Sequence, residues 1–217
     1  MTTDQAVAPP PAGLRERKKQ RTRAALVRSA LELFTRNGYD HTTVDEIADA
    51  VDVSQRTFFR YFANKEEVAF ATQDVAECHF FDALVGRPAE EAPLAALRGA
   101  VQTSWTATGE IIAELVPQDL HMRMYCVIES TPALLAVHLR RIAELEDRLA
   151  REIARREGLD VDTDPRPRLV VAAFGGAIRV AGQLWNEGGG TSMESLRDLT
   201  LFHLDHLGAA LAEPWDR

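Results

Sequence analysis

The sequence predicts an all-α protein of about nine helices, in which an N-terminal three-helix bundle with a helix-turn-helix precedes a larger helical domain. Apolar residues recur every three to four positions through most of the 217 residues, as on the buried faces of helices. Prolines or Ser, Thr and Asn residues precede these segments, as expected at helix starts. The pattern divides the chain into a leader over 1–13, a helix-turn-helix unit over 14–65 and a second domain over 66–217.

The first helix follows a leader whose three consecutive prolines and small residues favour disorder. It is predicted to begin near Lys18, because Leu26, Ala30 and Phe34 then share one face. Gly38 is predicted to end this helix, since glycine adopts the left-handed backbone conformation common after a last turn.

Two capping residues mark the second and third helices. Thr43 and Glu46 have the spacing of a capping box, in which each side chain bonds the other's backbone amide. Ser54 follows a tight turn and is predicted to cap a third helix over 55–62. On that helix Phe58 is predicted to face the first two helices.

The rest of the chain is predicted to be helical and shows no alternating pattern of a β-strand. Asn64 is predicted to cap a longer helix over 65–84. Further helices are predicted over residues 93–112, 117–129, 132–156, 168–185 and 192–213.

Charge is distributed unevenly along the chain. The net charge of −8 by itself argues against a polyanionic partner. Residues 1–65 nevertheless carry +3 and the remainder −11, and Leu14–Arg36 alone carries +6. This asymmetry is typical of a small anion-binding module on an acidic body, and a solvated basic helix face is the alternative.

Three short helices with a tight turn between the second and third match a helix-turn-helix. A small apolar core holds one helix so that its outer face can enter the DNA major groove. Gln55, Arg56 and Arg60 share that outer face with Phe59. Arginine can bond guanine edges and glutamine can pair with adenine, and either can instead contact phosphates.

Three stretches together resemble the TetR/AcrR family of bacterial transcriptional regulators. They are Ala30–Phe34 with Gly38–Tyr39, then Thr42–Ala48, then Val53–Glu67. The resemblance covers residues 18–67 and implies a dimeric DNA-binding regulator, by family default a repressor.

The resemblance also implies which residues contact DNA. Thr43 would bond a phosphate, Gln55, Arg56 and Thr57 would face bases, and Lys65 would contact the DNA backbone. The complete set is Arg15, Lys18, Lys19, Arg21, Thr43, Ser54, Gln55, Arg56, Thr57, Phe59, Arg60, Tyr61 and Lys65.

Two of these positions depart from the family pattern. Phe59 stands where the family usually has tyrosine, which removes a hydroxyl that could reach a phosphate. Tyr61 stands where the family often has histidine and can return a hydroxyl from a neighbouring position. The basic residues from Arg15 to Arg23 would lie beside the minor groove or follow the phosphates.

The last two helices are predicted to form a homodimer interface, as the resemblance implies. Glycine inside a helix lowers its stability by about 1 kcal/mol relative to alanine. The small residues near Gly175 and Gly176 therefore indicate that another helix approaches closely at this point. That helix belongs either to a partner subunit, in a four-helix bundle, or to the same chain. The interface candidates are Ala172, Gly175, Gly176, Leu199, Leu204 and Leu207.

The intervening helices are predicted to surround a cavity for a hydrophobic or amphipathic small molecule. Trp105 is the strongest candidate, because threonines and a serine around it mix polar groups into an apolar helix. The same residues could instead be ordinary core. The complete set is Phe80, Phe81, Trp105, Ile112, Leu115, Met122, Tyr125, Cys126 and Trp185.

Other classes of function are disfavoured by the sequence. His203, Asp205 and His206 lack a second cluster to complete a zinc site, and no catalytic set, cofactor motif or membrane-spanning segment is recognisable. Two cysteines suit a reducing cytoplasm. The remaining alternative is a helical ligand-binding or protein-interaction module whose helix-turn-helix does not read DNA.

Overall fold

The computed structural model describes residues 13–190 and 192–212. Within those ranges it contains ten α-helices and no strand, which confirms the all-α prediction. The leader predicted over 1–13 lies outside the described residues except for Gly13, which precedes the first helix. The helices are α1 (Leu14–Asn37), α2 (Val44–Asp49), α3 (Gln55–Phe59), α4 (Lys65–Ala69), α5 (Ala71–Val85), α6 (Pro93–Leu115), α7 (Gln118–Ser130), α8 (Pro132–Glu157), α9 (Arg166–Glu187) and α10 (Met193–Ala212).

The described residues form one helix more than the approximate count of nine, because the helix predicted over 65–84 is divided at Phe70. That residue leaves helical geometry with φ −95° and ψ 4°. Its ring is buried and stacks on His138 of α8, with ring centroids 6.2 Å apart. The guanidinium of Arg141, also on α8, lies 5.1 Å from the same ring. The division thus coincides with tertiary packing and not with a proline or glycine in the sequence.

The predicted caps of the N-terminal helices are confirmed. Thr43 and Glu46 form the complete capping box of α2. The side chain of Ser54 accepts a hydrogen bond from the backbone amide of Thr57, and Asn64 caps α4 in the same way. Helix α3 ends at Phe59 and is shorter than predicted, since residues 60 and 61 form a turn. Each cap satisfies an amide that the first turn of a helix leaves unpaired.

A turn of five residues, 50–54, connects α2 to α3 and sets their relative orientation. Asp52 within it has a φ of 54°, a conformation that aspartate tolerates better than most residues. The amide of Val53 returns to the carbonyl of Ala48 at 3.1 Å, which closes the end of α2. The outer face of α3 is therefore held rigidly relative to α2.

The first apolar core joins the N-terminal helices to the body of the protein. Phe34, Ile47, Phe58 and other buried residues of α1–α4 form one cluster that also contains Met124 of α7 and Leu134 of α8. A second cluster lies between α5, α6, α8, α9 and α10. Residues on both sides of the predicted domain boundary at residue 65 therefore belong to the same apolar core.

Neighbouring phenylalanines on α3 provide a matched test of this arrangement. Phe58 is 0% exposed and Phe59 is 49% exposed. We expect Phe58→Ala to lower the free energy of unfolding by about 3–5 kcal/mol, because it leaves a cavity in the core. Phe59→Ala is expected to change it by less than about 1 kcal/mol. Urea unfolding at one fixed protein concentration would measure both, and equal losses would contradict the assigned orientation of α3.

Candidate DNA-binding surface and ligand cavity

The outer face of α3 presents Gln55, Arg56 and Arg60 as exposed side chains. Phe59 lies beside them, with its ring edge-on to buried Phe58 at 5.5 Å between centroids. The guanidinium of Arg60 lies 5.1 Å from the ring centre of Tyr61, and its Nη2 donates to the Tyr61 hydroxyl at 3.5 Å. Hydrogen-bond donors and an apolar ring thus share one solvent-facing surface, which is suited to base edges and thymine methyl groups.

The residues at the starts of α2 and α3 are engaged in caps. The amide and the hydroxyl of Thr43 both donate to Oε2 of Glu46, at 2.7 and 2.9 Å. These bonds lower the pKa of the Glu46 carboxyl, so it is charged at neutral pH. A phosphate could use the same two donors only after this carboxylate turned away. The hydroxyls of Ser54 and Thr57 lie 3.0 Å apart, and Thr57 is half-buried.

Lys65 at the start of α4 bonds within the chain. Its Nζ donates to the backbone carbonyls of Tyr39 and Thr42, at 2.7 and 3.0 Å, and lies 4.0 Å from the Tyr39 ring centre. These bonds join α4 to the loop immediately before α2. No local pattern in the sequence predicts these two bonds, whose partners lie 26 and 23 residues from Lys65 along the chain.

The first turns of α1 carry a group of exposed basic side chains, which we call the N-terminal basic segment. Its predicted DNA-contacting members are Arg15, Lys18, Lys19 and Arg21. Arg23, two residues further on, places its guanidinium 5.1 Å from the ring centre of Phe62. The segment therefore begins in solvent and ends against the core of the helix-turn-helix unit.

A cavity of about 610 Å³ lies among α5–α10. This volume is typical of sites for drug-sized molecules. Five of the nine predicted lining residues do line it: Phe80, Trp105, Ile112, Met122 and Tyr125.

The other four predicted lining residues lie elsewhere. Phe81 packs under the Arg148 guanidinium at 4.5 Å, and Leu115 packs against the first apolar core. Cys126 is directed at Asn186, with 3.6 Å between Sγ and Oδ1. Trp185 is buried and donates from Nε1 to the Ser195 hydroxyl at 2.8 Å.

Several polar residues line the cavity that sequence reasoning did not identify. They are Gln73, Glu77, His121, Glu129, His138, Glu146, Arg179, Gln183 and Asn186. They lie on helices that otherwise contribute apolar side chains, and no capping or spacing pattern sets them apart. Burial lowers the pKa of His121 to about 4 and raises that of Tyr125 to about 12. Both rings are therefore neutral at pH 7.

The small residues of α9 meet side chains of the same chain. A methyl group on Gly175 would lie 2.5 Å from Oε1 of Glu146, and one on Gly182 would lie 2.9 Å from the Tyr125 hydroxyl. Leu204 of α10 is buried in the second core and Leu207 packs against it. Ala172 is exposed, while Gly176 and Leu199 are half-buried. Close approach within the chain thus accounts for Gly175 and Gly182.

Two family models match the chain. One describes bacterial regulatory proteins of the tetR family and covers residues 26–72; the other describes the MftR C-terminal domain and covers residues 92–212. The sequence is 47% identical over 205 residues to the HTH-type transcriptional regulator TcmR of Streptomyces glaucescens, with 94% of this chain and 91% of that protein covered. The chain belongs to the TetR family.

More distant proteins agree with this assignment. The DNA-binding transcriptional repressor TetR of Mycobacteroides abscessus is 27% identical over 145 residues, which cover 64% of this chain and 72% of that protein. A solved SmeT–triclosan complex has the same fold, with a TM-score of 0.59 at 17% identity over 91% of this chain and 100% of that one. These relatives are transcriptional regulators and not enzymes. This TetR-family protein is likewise a transcriptional regulator and not an enzyme.

Two further features of the TetR-family chain concern metals and membranes. Among the described residues, no group of three or more His, Cys, Asp or Glu side chains is placed to hold a metal ion. The rings of His203 and His206 instead bond carbonyls of their own helix, at 2.8 and 2.7 Å. None of the helices in the described part of the chain combines the length and apolarity needed to cross a membrane.

His121, half-buried and with its Nδ1 atom buried, is expected to make the stability of this TetR-family protein fall as the pH is lowered. In the unfolded chain a histidine has a pKa near 6.5, so between pH 6.5 and 4 the unfolded state binds a proton that the native state excludes. The free energy of unfolding of the wild type is therefore expected to fall between pH 7 and pH 5. We expect this fall to be about 1–2 kcal/mol smaller in His121→Asn, which has no imidazole to protonate.

Urea unfolding at both pH values would measure this difference. His41 is exposed in the loop before α2, so His41→Asn is the control and is expected to keep the wild-type pH dependence. A pH dependence of His121→Asn equal to that of the wild type would contradict the enclosed, neutral state of the ring.

Proposed function

We propose that the protein is a homodimeric transcriptional repressor. It binds a near-palindromic operator through α3 and is released from DNA when a small molecule fills the cavity. The observation that carries the proposal is the exposed Gln55, Arg56 and Arg60 face on a helix that is capped at Ser54 and fixed by buried Phe58. Such a face serves no purpose in the alternative, a module that does not read DNA.

Contacts to phosphates supply the part of the affinity that does not depend on sequence. The N-terminal basic segment is exposed and is placed on the same bundle as α3. The body of the protein is negatively charged like DNA, with a net charge of −11 over residues 66–217. Repulsion between that body and the phosphates restricts DNA to the N-terminal helices.

The base-reading face is tested with Arg56→Ala. We expect it to weaken binding to the operator about 5- to 100-fold, because one good base contact contributes about 1–3 kcal/mol. Lys19→Ala is expected to weaken specific and non-specific binding alike. It is also expected to reduce the slope of log affinity against log salt concentration by about one, since one fewer counterion is released. Mobility shift at several salt concentrations would measure both variants.

Arg155→Ala is the matched control for charge, since Arg155 is exposed at the far end of α8 and pairs with Glu152. The DNA is taken from the promoter region of the protein's own gene and from selection of random oligonucleotides. If neither source gives selective binding, the DNA-binding proposal is wrong and the ligand-binding module remains.

The homodimer is proposed to form through one exposed apolar face of α9 and α10. Leu169, Gly176, Val180 and Leu184 fall on one side of α9 at helical spacing, and the three larger side chains are exposed. Phe202 of α10, 57% exposed, contributes the largest ring. Two copies of this face would form a four-helix bundle with two-fold symmetry.

Two exposed apolar residues on opposite sides of α10 test this face. Leu211 is 71% exposed and lies half a turn away from Phe202 around the helix. We expect Phe202→Glu to convert the dimer into a monomer and Leu211→Glu to leave it dimeric, as measured by light scattering at one concentration. Operator affinity is expected to fall only for Phe202→Glu, since a monomer contacts a single half-site. If both variants remain dimeric, the proposed interface on α9 and α10 is wrong.

Release of DNA is proposed to pass through Phe70. Arg141 forms ion pairs with Asp74 and, at 3.6 Å, with Glu77, a cavity residue. His138 also lines the cavity, and its Nε2 lies 3.5 Å from Oε1 of Glu129. Both α8 side chains contact the Phe70 ring between α4 and α5. A ligand that displaces these side chains would therefore shift α4.

The shift would reach α2 through Lys65. Its bonds to the carbonyls of Tyr39 and Thr42 tie the start of α4 to the residue before the Thr43 cap. Movement of α4 would thus change the position of the helix-turn-helix relative to the body. In a dimer this alters the separation of the two α3 helices, which must match one turn of DNA.

A further inference from the structure

Phe59 places an exposed aromatic ring on the outer face of α3. The residue is 49% exposed, whereas Phe58 next to it is completely buried and fixes the helix to the core. The bundle therefore gains little stability from the ring of Phe59, because apolar surface stabilises a fold only where it is removed from water. The ring would gain that stabilisation if an apolar group of a bound molecule covered it.

The ring lies among the side chains that are proposed to read bases. Gln55 and Arg56 precede Phe59 by four and three residues, so the three exposed side chains are neighbours on one helical face. The Phe59 ring is edge-on to Phe58, with 5.5 Å between the ring centroids and 90° between their planes. This contact restricts the orientation of the ring, so little conformational entropy remains to be lost when a partner binds.

The chemistry of phenylalanine restricts what the ring can contact on DNA. It has no hydrogen-bond donor or acceptor, so it cannot bond a phosphate or a polar base edge. In the major groove the base pairs present donors, acceptors and one apolar group, which is the 5-methyl group of thymine. Contacts to sugars are possible at every nucleotide and carry no sequence information. Because Phe59 shares its face with Gln55 and Arg56, the methyl group is the favoured partner.

Thr57 is a second residue of α3 whose methyl group suits a thymine. Its backbone amide donates to Oγ of Ser54 at 3.2 Å, and the two hydroxyls lie 3.0 Å apart. Thr57 is half-buried and is held at the first turn by these bonds, whereas Phe59 is exposed. Phe59 therefore offers DNA the larger apolar surface of the two.

We infer that Phe59 recognises the 5-methyl group of one pyrimidine in each half-site of the operator, so that thymine is preferred there and 5-methylcytosine can replace it. Three residues of helix separate Phe59 from Arg56 by about 4.5 Å along the axis, and successive base pairs are about 3.4 Å apart. The methyl group is thus expected within about two base pairs of the base that Arg56 contacts. The inference rests on the proposed DNA-binding function and identifies one base within the site.

Duplexes that differ by single methyl groups test the inference. The probe is the tightest-binding duplex recovered by selection of random oligonucleotides with the full-length protein. Each thymine is replaced in turn by deoxyuridine, which lacks the 5-methyl group and keeps the base pair. At one position per half-site we expect replacement to lower affinity about fourfold, and about fifteenfold when both half-sites are replaced, as loss of one and two buried methyl groups predicts. Mobility shift at one salt concentration would measure these ratios.

The reverse change adds a methyl group to a different base pair. At the sensitive position the thymine is replaced by cytosine or by 5-methylcytosine, each paired with guanine. These two duplexes have the same hydrogen-bonding groups, so their ratio isolates the methyl group. We expect the methylated duplex to bind about fourfold tighter for each half-site.

Protein variants assign the methyl effect to Phe59. Phe59→Ala is expected to bind the thymine and deoxyuridine duplexes equally, which a double-mutant cycle would show. Thr57→Ser is the matched control, since it removes the competing methyl group and keeps the hydroxyl next to Ser54. It is expected to retain the fourfold ratio whatever its effect on overall affinity. Single base-pair substitutions locate the base at which Arg56→Ala loses its preference.

Four results would overturn the inference. They are a selected duplex with no thymine that is sensitive to deoxyuridine, equal binding of the cytosine and 5-methylcytosine duplexes, a methyl effect that persists in Phe59→Ala, and a sensitive position more than about two base pairs from the base read by Arg56. Each leaves the proposed function in place, because selective binding has then been shown. If the wild type selects no DNA, the proposed function and the inference both fail.

Discussion

The arrangement of this protein depends on a single apolar core shared between the helix-turn-helix and the body. Phe34 of α1 and Phe58 of α3 belong to the same buried cluster as Met124 of α7 and Leu134 of α8. Helix α1 therefore packs on two sides, against α2–α4 and against α7. A core of native density transmits a displacement because it cannot absorb one by compression. The helix-turn-helix unit is for this reason positioned by the body.

The contacts between the cavity and the proposed DNA-binding surface form a short physical series. Arg141 and His138 hold the Phe70 ring between α4 and α5, and Lys65 ties α4 to the loop before α2. Each step is a side chain from one element bonded to the backbone or ring of the next. Such a series can bias a DNA-bound and a released arrangement, which is the physical requirement for coupling between two sites.

Local features of the sequence predicted local structure well. The capping box at Thr43, the cap at Ser54 and the outward face of α3 depend on residues within four positions of one another, and all three are present. Features that depend on distant residues were not predictable. The division at Phe70 and the internal bonds of Lys65 involve partners on other elements, and Lys65 has the residue type expected of a phosphate contact. Likewise, the spacing of apolar residues does not reveal which face of α6 or α7 meets a cavity and which meets core.

A ligand can release DNA only by its difference in affinity between the bound and the released arrangement. A hundredfold loss of operator affinity requires about 2.8 kcal/mol of such difference. The difference has to arise at contacts that change between the two arrangements. In the proposed route Glu77 is such a contact, because it lines the cavity and faces Arg141, which also holds Asp74 and lies against the Phe70 ring. A ligand that competes with Glu77 for Arg141 would act at the element that the proposal requires to move, whereas contacts to α6 and α7 alone would add affinity without release.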